Sequence, residues 1–213
     1  MSEFTLMGCG PGSRDYLTKR AQACLDGAAL LAGSPQLLAL FSNERVQEFS
    51  CIRGITESWI DRLEATPARP CVVLVDNDRA FADAARRFQR RFGSERWRIE
   101  PGVSVVQVVS ARLGLAGQEA QVFDFESEIP ADRPPPSSER DPWIYFMGSQ
   151  GAEQIVASCL EQSRRRAILV ENLSLTGESV RQVEPSELRQ LSPKPRTIVV
   201  LTTAASLPLS ARG

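Results

Sequence analysis

The chain has 213 residues, 42% hydrophobic and 24% charged, with a formal net charge of −1. That suffices for one large or two small globular domains, and the near-neutral balance gives no general attraction to nucleic acid or an anionic membrane. With 0 His, Ser-His-Asp and Cys-His catalysis and His-based zinc sites are excluded, so proton transfer would fall to a carboxylate, Tyr, Lys or Cys.

Five scattered cysteines (Cys9, Cys24, Cys51, Cys71, Cys159) show no C-x-x-C pair; they read as reduced thiols, several of them small core residues, and no metal site is expected. No run approaches the roughly 18 apolar residues of a membrane span. The N-terminus lacks the basic-then-apolar pattern of a signal peptide, so a cytoplasmic location is expected. Of the 25 basic residues only Lys19 and Lys194 are lysines. Arginine suits carboxylate and phosphate recognition, although a GC-rich genome gives the same bias.

The first element is Phe4-Thr5-Leu6-Met7-Gly8-Cys9-Gly10-Pro11-Gly12, a short apolar strand running into three glycines and a proline. A helix begins near Arg20-Ala21-Gln22-Ala23-Cys24-Leu25. A strand, a tight glycine-rich turn and a helix commonly build a small-molecule site at the strand's carboxyl end. Glycine permits positive φ and lets a ligand approach the main chain; a turn glycine needed for geometry alone is the plain alternative.

A dinucleotide fingerprint fails, because its third glycine would fall at Ser13. The second strand, Ala29-Leu30-Leu31-Ala32, ends in Gly33-Ser34-Pro35 and offers no acid for a ribose. A P-loop fails too, since neither lysine follows a glycine.

Strands and helices then alternate. Residues 35–41 and 55–63 read as helices and Pro70-Cys71-Val72-Val73-Leu74-Val75 as a buried parallel-type strand. Residues 79–92 form a basic amphipathic helix whose Arg86, Arg87, Arg90 and Arg91 read as a solvated face. Trp97-Arg98-Ile99-Glu100 is a strand leading to Pro101-Gly102-Val103-Ser104, where Ser104 can cap a helix over 105–113. Residues 126–142, with Pro130, Pro134, Pro135 and Pro136, read as a mobile loop or linker. A second α/β unit follows, with strands at 143–147, 167–170 and 197–201, a helix at 152–160 and a frayed end at 206–213. The expected organisation is an N-terminal domain over 1–115 and a C-terminal domain over 116–213, two α/β domains whose strand ends face a shared cleft.

The order of motifs resembles the tetrapyrrole (corrin/porphyrin) methylase family, the S-adenosylmethionine enzymes that methylate uroporphyrinogen and the precorrins. Gly8-Cys9-Gly10-Pro11-Gly12, with Asp15, Leu17-Thr18 and Arg20-Ala21, is similar to the family's opening G-x-G-P-G loop and following helix start. Glu100-Pro101-Gly102-Val103-Ser104, with Gln107 and Ala111-Arg112-Leu113-Gly114-Leu115, is similar to its central P-G-x-S/T motif. Tyr145-Phe146-Met147-Gly148 resembles its Y-M-G strand end, and Glu171-Asn172-Leu173 with Glu178 its E-N-L segment. Gly33-Ser34-Pro35-Gln36-Leu37-Leu38 and the Ala-Arg-Leu-Gly run look most like the branch acting on carbon 5 of precorrin-6Y or cobalt-precorrin-7.

Two places depart from the family. Where it has G-D-P, this chain reads Val75-Asp76-Asn77-Asp78-Arg79-Ala80-Phe81: Asn77 replaces glycine, Arg79 proline, and Asp83 a later glycine. Asn tolerates positive φ better than other non-glycine residues, but its side chain occupies space where cofactor and backbone would touch. The carbon-5 branch's Ser-Leu-His-Gly-Arg stretch is here Val122-Phe123-Asp124-Phe125-Glu126.

The resemblance implies S-adenosyl-L-methionine as cofactor, a precorrin-type tetrapyrrole as substrate and a homodimer; the near-neutral charge leads to the expectation of neither nucleic acid nor membrane as partner. Carried over by motif, Pro11, Asp76, Asn77, Asp78, Phe81, Ser104, Val105, Met147 and Leu173 would bind cofactor, and Gly10, Gly12, Asp15, Tyr16 and Arg20 substrate. Met147 and Phe81 as core filler, and Asp78 as a turn acid or cap, are the plain alternatives. Methyl transfer from a sulfonium to a nucleophilic, enamine-like carbon needs no strong protein base, in keeping with a chain lacking histidine. A relative that binds tetrapyrrole or cofactor without turnover is the other expectation, motivated by the altered 76–79 turn.

Overall fold

The computed structural model describes residues 3–51, 54–76, 78–125, 139–192 and 196–203, the side chains of 78–80 excepted. The chain divides into two units, Met1–Val105 and Val106–Gly213. The sequence placed a boundary after residue 115; past Val105, the helix it assigned to the first domain falls in the second unit.

The first unit is a five-stranded parallel sheet in the order β3-β2-β4-β1-β5. Its strands are β1 (Phe4–Gly8), β2 (Leu30–Gly33), β3 (Gln47–Ser50), β4 (Cys71–Val75) and β5 (Trp97–Glu100). The helices are α1 (Lys19–Asp26), α2 (Pro35–Phe41), α3 (Glu57–Ala65) and α4 (Asp78–Phe92). β1 and β4 are buried along their whole length, which is why Phe-Thr-Leu-Met-Gly and Cys-Val-Val-Leu-Val show no polar alternation: helices cover both faces. Met7, Leu31, Val72 and Leu74 pack with Ala21, Leu25, Leu37, Leu38 and Phe41 of α1 and α2. Phe4, Leu6, Leu30, Cys71, Val73 and Val75 pack on the other face with Ile60, Leu63, Ala84, Phe88 and Phe92 of α3 and α4.

Three helix starts follow from their caps. The hydroxyls of Thr18, Ser34 and Thr56 accept from the backbone N–H of Ala21 (3.0 Å), Leu37 (3.3 Å) and Trp59 (3.2 Å), each worth about 1 kcal/mol. The third cap explains why α3 begins at Glu57 rather than at Ile55, as its apolar pattern suggested.

β1 and β4 are neighbours in register, Gly8 opposite Val75. The helix after β1 covers one face and the helix after β4 the other. The two chains leaving the carboxyl ends of adjacent strands therefore diverge, and a crevice opens between them; this is where ligands bind in doubly wound sheets.

The second unit holds a mixed sheet in the order β6-β7-β10-β8-β9: β6 (Gln121–Phe125), β7 (Trp143–Met147), β8 (Arg166–Glu171), β9 (Ser179–Val183) and β10 (Thr197–Thr202). Only β6 and β7 pair in parallel. β8 and β9 are joined by residues 172–178 without a helix, a link too short for a parallel crossover, so they run antiparallel. Helices α6 (Ala152–Glu161) and α7 (Pro185–Arg189) follow α5 (Val105–Leu113), which crosses the division between the units. The sequence pattern does not show β3, β6, β9 or α7.

Of the expected linker, 126–138 lie outside the described residues, but Asp141 is held firmly. It pairs with Arg165, whose guanidinium lies 3.9 Å over the Trp143 ring, and accepts from Thr202 Oγ1 (2.8 Å) and the Thr203 N–H (3.1 Å). The expected fraying at 206–213 also lies outside the described residues. The basic face of α4 is solvated, as its sequence suggests, and also paired: Arg87 with Asp83 and Glu57, Arg90 with Glu57, and Arg91 with Asp61 and Glu64. Among the described residues no helix is long and apolar enough to cross a membrane.

At the amino ends of β1 and β5, Arg96 grips Glu3 (Nε 2.9 Å, Nη2 2.8 Å) and Glu64 (Nη1 2.6 Å). Its hydrogen bonds hold both carboxyls below their ordinary value of 4.5. Groups whose pKa falls on folding stabilise above the unfolded value and lose that contribution as the pH drops through the folded one. The melting temperature is expected to decline as the pH falls below about 4.5. Arg96→Met should flatten that decline, as measured by calorimetry across the acid range; an unchanged acid arm would show that the cluster carries none of it.

Candidate functional site

At the crevice two backbone segments touch. A Cβ on Gly8 would stand 2.8 Å from the Gly102 nitrogen, and one on Gly102 only 2.3 Å from the Gly8 carbonyl oxygen. Gly10 has φ 60°, and its Cβ would meet the Val103 carbonyl oxygen at 2.8 Å. Real Cβ contacts do not come this close, so glycines at 8, 10 and 102 let the loop after β1 lie directly on the loop after β5. For Gly8 and Gly10 the sequence leaves two roles open, turn geometry and ligand approach; the structure adds close contact between two stretches of main chain, with Gly102 as the partner. The β1–β4 ladder continues one residue further, with the Cys9 N–H donating to the Val75 carbonyl at 2.7 Å, which brings Asp76 to the rim.

Around this contact lies a depression of about 140 Å³ lined by Gly8, Gly10, Asp76, Phe81, Pro101, Gly102 and Val103. A pocket that buries a drug-sized ligand holds roughly 300–1,000 Å³, so the depression suits one part of such a ligand. It offers main-chain polar groups, one carboxylate and one aromatic ring. These match hydroxyl, amino and flat heterocyclic groups, and residues of this kind fit an S-adenosyl cofactor.

Several sequence-predicted residues gather here: Gly10, Asp76 and Phe81 line the depression. Pro11 and Gly12 are buried in the same loop, Gly12 with φ 117°. Ser104 is half-buried and Val105, the first residue of α5, is buried. Asp78 begins α4, while its side chain and the whole of Asn77 lie outside the described residues. Asp15 and Tyr16 stand in a single 3-10 turn capped by Ser13, Asp15 exposed and Tyr16 half-buried. Arg20 is exposed and pairs with Glu100, its Nε 3.3 Å from Oε2.

Met147 and Leu173 belong to the second unit. Met147 ends β7, fully buried in that unit's core. Leu173 is buried between two residues with left-handed backbone, Asn172 (φ 52°) and Ser174 (φ 68°). Such conformations cost non-glycine residues about 1–3 kcal/mol each and cluster at functional sites.

The Glu178 carboxylate holds that turn. It accepts from the Ser174 N–H at 2.6 Å and receives both Nε (2.9 Å) and Nη2 (3.2 Å) of Arg112. In the sequence Arg112 and Glu178 lie in separate motifs, and nothing there shows that they pair. Glu100 likewise has no role assigned by its motif, although an acid directly before Pro-Gly at a strand end is a visible signal.

Among the described residues no three His, Cys, Asp or Glu gather as a metal site would require. Burial pushes the Cys51 thiol up to about 11 and the Cys71 thiol up to about 12, so both stay protonated and inert near neutral pH.

Residues 3–189 match the family model of the tetrapyrrole (corrin/porphyrin) methylases, and the chain belongs to that family. Over 115 residues it is 36% identical to the cobalt-precorrin-7 C(5)-methyltransferase of Salmonella typhimurium, a match covering 53% of this chain and 55% of that protein. The chain thus spans about half the length of the curated relatives it matches. Its backbone is similar to the cobalamin-biosynthesis precorrin-6Y methylase of Archaeoglobus fulgidus (21% identity, TM-score 0.65, 95% of this chain and 98% of that one). It is also similar to the uroporphyrin III C-methyltransferase of Thermus thermophilus complexed with S-adenosyl homocysteine (17% identity, TM-score 0.65, 94% and 92%). These likenesses establish two α/β units of the tetrapyrrole methylase fold.

Gly102→Ala is expected to cost at least about 1–3 kcal/mol in chemical denaturation, the ordinary penalty of overpacking. Gly27→Ala is the control: its Cβ would meet the Ala23 carbonyl at an ordinary 3.5 Å, and stability should hardly change. Equal costs for the two would contradict the backbone contact.

Proposed function

We propose that this chain is an S-adenosylmethionine-dependent C-methyltransferase acting on carbon 5 of a precorrin-type tetrapyrrole, in cobalamin biosynthesis. The observation that carries the reading is the depression at the carboxyl ends of β1, β4 and β5, where the glycine loop lies on Pro101-Gly102-Val103 beside Asp76 and Phe81. The match to a cobalt-precorrin-7 C(5)-methyltransferase supports the substrate class. The Thermus neighbour's S-adenosyl homocysteine supports the cofactor.

When bound, S-adenosylmethionine supplies an electrophilic methyl and its own leaving group. The chain's contribution is then binding, orientation and exclusion of water. Asp76 would accept hydrogen bonds from cofactor hydroxyl or amino groups, and Phe81 would offer its ring to a flat heterocycle. Main-chain N–H groups at the start of α5, by Ser104 and Val105, would donate. Pro11, Asn77 and Asp78 belong by motif to the same cofactor set, as do Met147 and Leu173. Gly10, Gly12, Asp15, Tyr16 and Arg20 would meet the macrocycle. Homodimer formation and a cytoplasmic location belong to the same reading.

One sequence observation favours a second reading. Asn77-Asp78-Arg79 replaces the family's Gly-Asp-Pro, and an altered turn there would suit a relative that binds without turnover.

The deciding experiment incubates the purified chain with S-adenosylmethionine and cobalt-precorrin-7 or precorrin-6Y. A product heavier by one methyl group, with release of S-adenosylhomocysteine, is expected. Asp76→Ala should weaken cofactor binding about tenfold, or 1.4 kcal/mol. Binding of both ligands without any transfer would favour the second reading.

A further inference from the structure

Glu100 ends β5 and is only 2% exposed, yet among the described residues its carboxylate accepts no hydrogen bond. Its counter-ion is Arg20, Nε 3.3 Å from Oε2, whose own side chain is 79% exposed. A buried carboxylate with so little compensation calls for an explanation. The helix that carries Arg20 does not supply one. Lys19 and Arg20 both stand in the first turn of α1, which contains no acid, and the positive end of a helix dipole disfavours cations.

We propose that Glu100 is a positioning residue. Its charge steadies the Arg20 guanidinium at the start of α1, the helix that follows the glycine loop in the chain, and Arg20 so held receives a peripheral carboxylate of the substrate, on the premise that the chain acts on a carboxylated tetrapyrrole. Two features support this. Glu100 is joined directly to Pro101, Gly102 and Val103, which line the depression. The pair is held by charge and not by an aligned hydrogen bond, so the planar fork of N–H donors that suits a carboxylate stays uncommitted among the described residues. Full hydrogen bonding between the two side chains would have consumed that fork; a neutral residue at 100 would have left Arg20 unguided.

The test uses Arg20→Gln, Glu100→Gln, the double variant and Glu100→Asp. S-adenosylhomocysteine affinity is read by calorimetry. Affinity for uroporphyrin and for its methyl ester is read by fluorescence titration at fixed ionic strength. Arg20→Gln is expected to weaken uroporphyrin binding about tenfold, as loss of a charged hydrogen-bonded contact does, and to abolish the preference for the acid over the ester. Glu100→Gln should weaken it about threefold, and the double variant no more than Arg20→Gln alone, because one residue acts through the other. Glu100→Asp, which keeps the charge, should recover most of the loss, and cofactor affinity should not move in any variant. Unaltered uroporphyrin affinity in Glu100→Gln, additive losses in the double variant, or no uroporphyrin binding by the unmodified chain would overturn the proposal. Failure of the unmodified chain to bind S-adenosylhomocysteine would instead tell against the methyltransferase reading.

Discussion

Two stretches of main chain meet where side chains would forbid it. The loop after β1 rests on the loop after β5, and the approach is so close that a single methyl group on Gly102 would sit 2.3 Å from the Gly8 carbonyl oxygen. Much else follows from that contact. It fixes the end of β1 against the strand that leads into α5, and the Cys9–Val75 hydrogen bond adds the end of β4 to the same assembly. Strand order supplies the rest: chains leaving β1 and β4 diverge to opposite faces, and the gap they leave is floored by backbone. A floor of peptide groups is rigid and cannot change rotamer. Those properties suit a site whose task is to hold a reactive molecule still.

The chemistry such a site can run is limited by what the chain lacks. Without histidine, and with two of its buried thiols pushed to about 11 and 12, it has few groups poised to move protons near neutral pH. Methyl transfer from a sulfonium asks little of that kind. The polar groups the structure does invest in are arranged for holding. Glu178 pins a left-handed turn around Leu173 with one backbone bond and a two-pronged contact to Arg112, and Glu100 sits buried beside an exposed arginine. Each ties a motif of the sequence to a second segment far along the chain.

How much of this was legible in the sequence depended on whether the cause was local. β1 and β4 could be read directly because a strand covered on both faces needs an unbroken apolar run. α2 and α5 could be read from Ser34-Pro35 and from the apolar run after Pro101-Gly102. The edge strands β3 and β9 were invisible: Gln-Glu-Phe-Ser and Ser-Val-Arg-Gln-Val are largely exposed and owe their extended form to a neighbouring strand, not to their own pattern. The glycines at 8, 10 and 102 were visible as glycines, but their partner was not. No spacing rule says that Gly8 faces Gly102, because that pairing is set by the strand order of the sheet. The same holds for Arg112 with Glu178 and for Arg20 with Glu100.

We propose that this backbone floor is where the methyl donor sits. The most direct measurement is a titration of the isotopically labelled chain with S-adenosylhomocysteine, following backbone amide resonances. The largest shifts are expected on Gly8, Gly10, Asp76, Gly102 and Val103, saturating together. Saturable binding that leaves those amides unmoved while perturbing others would contradict it.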